Sequence, residues 1–224
     1  MDSQAGDKRA FAFRLIIVLG IVSLFGDIIY EGGRSVIGPY MLFLGASALV
    51  VASVSGLGEF LGYGIRLLSG YVSDRTGSYW TFTILGYLMI GAIPLLVFAG
   101  SWEVAAVLVL IERIGKGIRS PAKDTILSHA SKQVGRGLGF GIHEALDQVG
   151  AVIGPIAFSL SLALSGGYGT GFAMLAIPFV LLVAALVYAR LSVPRPVDLE
   201  DVSGSDTGNR PLQFSSVMIP YGAF

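Results

Sequence analysis

Residues 111–124 read Ile-Glu-Arg-Ile-Gly-Lys-Gly-Ile-Arg-Ser-Pro-Ala-Lys-Asp and follow directly on an apolar segment. This stretch places ionisable side chains where the hydropathy of the surrounding sequence predicts lipid. A charge near the centre of a bilayer costs at least about 3 kcal/mol unless it faces a partner or water. We therefore expect this stretch, and the glycine-rich stretch from Gly135 to Pro155, to face the interior of a helical bundle that shields them from lipid.

The composition is that of a membrane protein. Of the 224 residues, 54% are hydrophobic and 13% are charged, whereas soluble domains contain about a quarter charged residues. The absence of cysteine excludes disulfides and thiolate metal sites, and two histidines are too few for a histidine-based metal cluster, so we expect no metal and no other cofactor. The net charge of zero argues against a nucleic-acid partner. The first hydrophobic stretch is too long for a signal peptide, which predicts a permanent span.

Hydropathy predicts an all-α membrane protein with six transmembrane helices, at residues 11–44, 48–72, 79–99, 104–121, 137–164 and 168–191. The first span would be about 50 Å long against a hydrocarbon core of about 30 Å, so it must tilt or bend, with Gly38-Pro39 as the expected kink. A polar link is expected at 122–134. The predicted domains are a cytoplasmic N-terminus (1–10), a six-helix transmembrane domain (11–192), and a cytoplasmic linker with the start of a truncated seventh span (193–224).

The distribution of Lys and Arg predicts the orientation in the membrane. The three links on one side, around Gly45, Gly100 and Gly166, contain no Lys or Arg. The basic residues near helix ends all fall on the side of the two termini: Lys8, Arg9, Arg75, Lys123, Lys132, Arg136, Arg190 and Arg195. The positive-inside rule therefore predicts a multi-pass protein of the plasma membrane with both termini in the cytoplasm.

The six spans divide into two groups of three. The third and sixth spans contain no internal charge, and both contain Ala-Ile-Pro, at residues 92–94 and 176–178. The other four spans carry charges and should line an interior. Because three is an odd number, a repeat of three helices inverts in the membrane, as is common in secondary transporters. The pattern thus predicts a 3+3 inverted-repeat bundle.

Charged residues recur at spacings that place them on one helix face. The spacing i, i+4, i+7 occurs twice, in Asp27, Glu31 and Arg34 and again in Glu112, Lys116 and Arg119. Charges of mixed sign in a low-dielectric interior favour pairs that a proton or a substrate can rearrange. The candidates for a substrate and proton pathway are Asp27, Glu31, Arg34, Glu59, Glu112, Arg113, Lys116 and Asp147.

A structural reading of several charges is also open. Arg66, Arg119 and Lys116 could form fixed pairs or extend to the membrane interface. Glu31 and Arg34, three residues apart, could pair locally on their helix. His143 lies near the cytoplasmic end of its span, where simple hydrogen bonding is the expected role.

Three partial motifs, in order along the chain, resemble those of the major facilitator superfamily. Residues 70–77, Gly-Tyr-Val-Ser-Asp-Arg-Thr-Gly, are similar to the loop motif between helices two and three, Gly-x-x-x-Asp-Arg-x-Gly, but Ser78 and Tyr79 replace the basic residues that usually follow. Residues 113–117 resemble the fourth-helix signature. The spacing of the fifth-helix antiporter signature is matched by Gly141, Gly150, Gly154 and Pro155. The last glycine of that signature is replaced here by Phe158.

This resemblance, which covers residues 11–191, implies the N-terminal half of a major facilitator fold. Helices one and four would line a central cavity, two and five would lie between the halves, and three and six would lie outside. The resemblance also implies proton coupling through Arg113 and a cytoplasmic gating loop formed by Gly70, Asp74, Arg75 and Gly77. The fifth-helix glycines would form a helix-packing signature, in which Gly150 and Gly154 also have small-xxx-small spacing.

The family has twelve spans, so the six predicted here have three readings: half of a homodimer, half of a split transporter, or a truncated product. Six helices alone would leave a polar helix face against lipid, which predicts a second six-helix half as a partner. The expected function is proton-coupled antiport or efflux of a small molecule. One alternative is a non-transporting scaffold or regulatory half that binds a full-length transporter. An intramembrane enzyme using Glu59, His143 and Asp147 is not expected, since no catalytic motif supports it.

Overall fold

The computed structural model describes residues 2–194, with side chains described from Arg9 onward. The helices are α1 (Asp2–Phe43), α2 (Ala48–Thr76), α3 (Tyr79–Met89), α4 (Trp102–Val134), α5 (Arg136–Ser165), α6 (Tyr168–Met174) and α7 (Ala176–Ser192), with two 3-10 segments after α3 (Ile90–Ala92 and Pro94–Phe98). Residues 2–10, expected as a separate N-terminal segment, continue the first helix. Most of the predicted linker and the predicted start of a seventh span, residues 195–224, lie outside the described residues.

In the described part of the chain, five segments are long and apolar enough to cross a membrane: Arg9–Phe43, Ala48–Thr76, Tyr79–Phe98, Arg136–Ser165 and Tyr168–Ser192. Helix α4 has 33 residues, which is more than enough to cross a bilayer. Helix α4 is nevertheless not among these segments because its middle is too highly charged, with Glu112, Arg113, Lys116 and Arg119. The described part of the chain is therefore all-helical and rich in candidate spans. Whether α4 forms a sixth span depends on how its charges are accommodated.

The polar link predicted for residues 122–134 is wrong, because α4 continues as a helix to Val134. Pro121 has no N–H and leaves the Gly117 carbonyl without its helical donor. The Ser69 hydroxyl of α2 replaces that donor, at 2.8 Å from the Gly117 oxygen. Beyond the proline, one face of α4 is apolar and buried, and it consists of Ala122, Ile126, Leu127 and Ala130. Charged residues stand between these positions in the sequence and lower the mean hydropathy of the segment.

Both charge-free helices are interrupted at their Ala-Ile-Pro sequence. Helix α3 passes into 3-10 geometry, in which Ile93 N donates to the Ile90 carbonyl at 2.9 Å. Helix α6 ends at Met174, and α7 begins two residues before Pro178. In each case the proline lacks the N–H that would bond the carbonyl four residues earlier, on Ile90 or Met174. By contrast, α1 and α5 continue through Pro39 and Pro155.

Helices α1 and α4 form the centre of the bundle. Helix α1 packs most extensively on α5 and then on α7, whereas α4 packs most extensively on α2 and then on α3, and α1 and α4 also contact each other. The core of the bundle contains fully buried aliphatic and aromatic side chains from α1, α3, α4, α5 and α6, including Ile16, Ile29, Tyr87, Ile126, Phe158 and Phe172. This arrangement gives α1 and α4 the central positions that their charged faces require.

Close contact between α1 and α5 depends on glycine. A Cβ added at Gly154 would lie 2.5 Å from the Ile28 carbonyl oxygen and 2.8 Å from the Gly32 nitrogen, and one added at Gly150 would collide with the Leu24 carbonyl. A Cβ added at Gly141, earlier in α5, would have no atom within 4 Å. Of the three glycines in the predicted packing signature, Gly150 and Gly154 thus lie at a backbone-to-backbone crossing, and Gly141 lies in open space.

We predict that Gly150→Ala and Gly154→Ala each lower the free energy of unfolding by about 1–3 kcal/mol, because the added methyl group overpacks the crossing. Gly141→Ala is the matched control and should be neutral within about 0.5 kcal/mol. Unfolding in detergent, followed by the loss of helical circular dichroism, measures the three values. Equal stability of all three variants would contradict the close crossing.

Candidate functional site

A cavity of about 370 Å³ opens between α1, α2 and α4. Its charged and aromatic lining residues are Tyr30, Arg34, Glu59, Tyr63, Arg66, Arg113 and Lys116. The lining faces follow from helical spacing, since Glu59 and Arg66 are seven residues apart on α2 and Tyr30 and Arg34 are four apart on α1. Half of the pathway candidates predicted from the sequence line this cavity: Arg34, Glu59, Arg113 and Lys116.

The guanidinium group of Arg113 connects three helices. Its Nη1 lies 3.1 Å from the Glu59 Oε1 of α2 and donates a hydrogen bond to the Tyr30 hydroxyl of α1. Its Nε lies 3.9 Å from Oε2 of the neighbouring Glu112. Because Arg113 is buried, the Glu59 and Tyr30 contacts replace water around its Nη1. Its Nε has no hydrogen-bond partner in the described part of the chain.

Glu59 lies between two guanidinium groups. Besides its contact with Arg113, its Oε1 lies 4.0 Å from Arg34 Nη2. Arg34 in turn has its Nη1 3.7 Å from Glu31 Oε1, which is the local pairing expected from their spacing. Since the side chains of Arg34 and Glu59 are 50% and 46% exposed, each pair is weak enough to exchange partners.

Lys116 contacts the face of an aromatic ring. Its Nζ lies 3.6 Å from the centroid of the Tyr30 ring, and within the described residues it forms no ion pair. Tyr30 therefore contacts three cavity cations, Arg34 and Arg113 through its hydroxyl and Lys116 through its ring. The sequence reasoning missed Tyr30, although its position three residues after Asp27 and four before Arg34 places it on the same helix face.

The remaining predicted acidic residues lie away from the cavity wall. Glu112 is buried behind Arg113, and its Oε1 has no hydrogen-bond partner in the part of the chain that the structure describes. Asp27 of α1 and Asp147 of α5 are neighbours across the α1–α5 contact and are not among the cavity-lining residues. Asp27 and Asp147, predicted on the same pathway as Glu59 and Arg113, are therefore not part of the lining of this cavity.

Asp27 and Asp147 form a second polar cluster together with Ser23, Lys123 and His143. In this cluster, the two carboxyl groups interact with each other, and Asp147 also interacts with the Ser23 hydroxyl and the Lys123 ammonium. His143 is buried, and its Nε2 has no hydrogen-bond partner among residues 9–194. The cluster involves α5 and the cavity does not, because no residue of α5 lines the cavity.

The predicted gating loop lies where α2 ends. Gly70 faces Pro121 of α4, and an added Cβ would be 3.4 Å from the Pro121 Cβ. Asp74 and Arg75 are exposed in the last turn of α2, and Arg75 Nη1 donates to the Tyr71 hydroxyl at 2.5 Å. Gly77 caps the helix with φ +64°, a left-handed conformation that favours glycine. The loop is thus a short, tightly capped turn between α2 and α3.

We predict that Arg113→Met lowers the free energy of unfolding by about 3–5 kcal/mol, because it removes the ion pair of the buried Glu112 carboxylate. Arg66→Met is the control, since it removes one half-exposed pair with Asp124 at 3.5 Å, and it should cost about 0–1 kcal/mol. Unfolding in detergent compares the two. Equal losses would mean that the contacts of Arg113 stabilise the fold no more than a surface pair does.

Comparison with known proteins supports one family. Residues 14–219 match the model of the Major Facilitator Superfamily. An uncharacterized protein of Mycobacterium bovis and one of Mycobacterium tuberculosis are each 46% identical over 205 residues, which are 89% of this chain and 50% of each relative. An uncharacterized MFS-type transporter of Methanocaldococcus jannaschii is 34% identical over 140 residues, which are 62% of this chain and 35% of that protein.

The chain spans about half the length of the mycobacterial relatives that it matches. The family model covers most of the chain. The candidate spans of the chain agree with a membrane location. The charged cavity between α1, α2 and α4 therefore lies in an integral membrane protein that belongs to the major facilitator superfamily.

Proposed function

We propose that the chain forms one half of a secondary transporter that exports a small molecule by alternating access, driven by inward proton flow. Membership of the family supports transport. The observation that carries the proposal is the position of Glu59, within 4.0 Å of both Arg34 on α1 and Arg113 on α4. A carboxylate between two cations on different helices can change partner when those helices move, which couples the occupancy of the cavity to its shape.

The proposal includes a six-span, 3+3 inverted-repeat arrangement in which α4 is the fourth span and α6 with α7 forms the sixth. Exchanging the two groups of three helices converts the α1–α5 contact into the α4–α2 contact, and the α1–α7 contact into the α4–α3 contact. These are the most extensive contacts of the two central helices. The interruption of both charge-free helices at Ala-Ile-Pro is a second feature that the two groups share.

The proposal also includes a second six-helix unit that covers the cavity. Arg34, Glu59 and Arg66 line its open side with side chains 50%, 46% and 50% exposed, and lipid against these charges would be unfavourable. A second copy of the chain, a separate polypeptide or a continuation of the same polypeptide would each provide the missing wall. Protons and a small molecule would be the transported partners.

We assign proton handling to Asp27 and Asp147 together with Arg113. Two neighbouring carboxylates repel each other when both are ionised, and a proton held between them removes that repulsion. This pair lies across the α1–α5 contact, and Arg119 and Lys116 of α4 interact electrostatically with Asp27. A proton that enters the pair would thus alter the charge that α1 presents to the cavity-lining helix α4.

The proposed location is the plasma membrane, with both termini in the cytoplasm because the basic links lie on that side. In this orientation the turn that contains Asp74 and Arg75 faces the cytoplasm. Gly70 and Gly77 keep that turn close to α4 and α3, and the turn would help to close the cytoplasmic side.

The test is proton flux in everted membrane vesicles that contain the protein, with a respiratory pH gradient followed by a fluorescent weak base. A transported compound should dissipate the gradient. Asp27→Asn should abolish this response, because the carboxyl pair can no longer exchange its proton. Arg113→Lys should reduce it at least about tenfold, because it keeps the charge but loses the planar guanidinium fork. Arg136→Gln, at the exposed start of α5, is the control.

Wild-type flux in both the Asp27 and the Arg113 variants would show that these assignments are wrong. If no compound produced a proton flux with the wild-type protein in any partner combination, the transport proposal itself would fail. A non-transporting scaffold that binds a full-length transporter would then be the better reading.

A further inference from the structure

The cavity between α1, α2 and α4 has an excess of cations on its wall. Four cationic side chains and one carboxylate line it, namely Arg34, Arg66, Arg113, Lys116 and Glu59. Three of the cations have carboxylate partners: Arg113 at 3.1 Å from Glu59, Arg34 at 3.7 Å from Glu31, and Arg66 at 3.5 Å from Asp124. The fourth, Lys116, forms no ion pair with the residues that the structure describes.

The Lys116 ammonium is held by a contact that leaves donors available. Its Nζ lies 3.6 Å from the centroid of the Tyr30 ring, so the ring stabilises the charge from one side. An ammonium group has three N–H donors, and one aromatic face does not satisfy all of them. Because the same side chain lines the cavity, its remaining donors are available to a molecule bound there.

We propose that this cavity binds the anionic group of the transported molecule, a carboxylate or a phosphate ester, between Lys116 and the guanidinium groups of Arg34 and Arg113. The inference rests on the function proposed above and adds the substrate class. The volume of about 370 Å³ falls within the range of about 300–1,000 Å³ that is usual for small-molecule pockets. Tyr30 and Tyr63 add aromatic surface for the rest of the molecule.

Glu59 occupies part of this anion site when no anion is bound. Its carboxylate already lies 3.1 Å from Arg113 Nη1 and 4.0 Å from Arg34 Nη2. Because its side chain is 46% exposed, it can leave this position without exposing a buried charge. An entering anion therefore competes with Glu59 for the two guanidinium groups, and loss of the Glu59 charge should strengthen anion binding.

The binding test uses four probes of similar size and different charge on the purified protein in lipid nanodiscs. Benzoate and phenyl phosphate are the anionic probes, benzamide is neutral and benzylamine is cationic. Binding is measured as the rise in melting temperature with probe concentration, relative to each variant without probe. We expect benzoate or phenyl phosphate to raise the melting temperature, the larger rise identifying the preferred anion, and benzamide and benzylamine to have no effect.

Three variants locate the site. Lys116→Met should weaken anion binding at least about tenfold, since a charge-assisted hydrogen bond is lost. Glu59→Gln should strengthen it about tenfold, since the competing charge is removed and the side-chain shape is kept. Arg136→Gln removes one positive charge at the exposed start of α5, outside the cavity, and should leave the affinity unchanged.

The inference would be overturned if benzylamine bound more tightly than both anions, if neither anion bound at tens of millimolar, or if Lys116→Met left anion binding unchanged. This measurement needs no proton gradient. Anion binding without any flux would therefore contradict the proposed transport function and leave the anion site in place. Flux of a neutral or cationic compound without anion binding would contradict the anion site and leave transport in place.

Discussion

A guanidinium group inside a bundle of membrane helices needs acceptors from its neighbours, and the structure is arranged around how Arg113 obtains them. Its contacts reach Glu59 on α2 and Tyr30 on α1, so the central helix α4 is fixed to two others through one side chain. Small residues make this possible. A Cβ at Gly58 would lie 3.0 Å from the Arg113 Cγ, and one at Gly117 would lie 2.5 Å from the Gly62 carbonyl oxygen.

Backbone proximity has a particular value in lipid, where apolar side chains gain little by leaving their surroundings. The two most extensive contacts of the bundle, α1–α5 and α2–α4, both have glycine at the crossing. In the first, Gly32, Gly150 and Gly154 bring two backbones together; in the second, Gly62 and Gly117 do so. Close crossings of this kind fix the rotation of each helix, and the rotation decides which charged residues face each other.

The cavity and the cluster around Asp27 and Asp147 are lined by different residues, and we propose a separate role for each. The cavity is open and lined mainly by cations, which suits an anionic ligand. The Asp27–Asp147 pair lies across the α1–α5 contact, outside the residues that line the cavity, and suits a proton. Helix α4 connects the two regions through Lys116, which lines the cavity and also interacts electrostatically with Asp27. Coupling between the two roles would pass through α1 and α4, the helices at the centre of the fold.

Much of the fold was predictable from the sequence alone. Hydropathy and turn residues placed most helix ends within a few residues, because apolar length and glycine-rich turns are local properties. Helical spacing put Arg34 on one face with Asp27 and Glu31, and Lys116 on one face with Glu112 and Arg119, because the period of the α-helix is fixed. Glu59 and Arg113 were predicted to face inward from the cost of a charge in lipid. The continuation of α4 past Pro121 was not predictable, because its missing donor comes from Ser69, on another helix.

The sequence determined that this protein is a bundle of membrane helices with charged faces, since hydropathy and the helical period are local properties of the chain. The tertiary structure alone decided that those charges divide into a cavity and a separate carboxyl pair. The reason is that the glycine crossings set the rotation of α1, α4 and α5 about their axes. Helix rotation depends on backbone contacts between segments that are far apart in the sequence, such as Gly154 with Ile28 and Gly117 with Gly62.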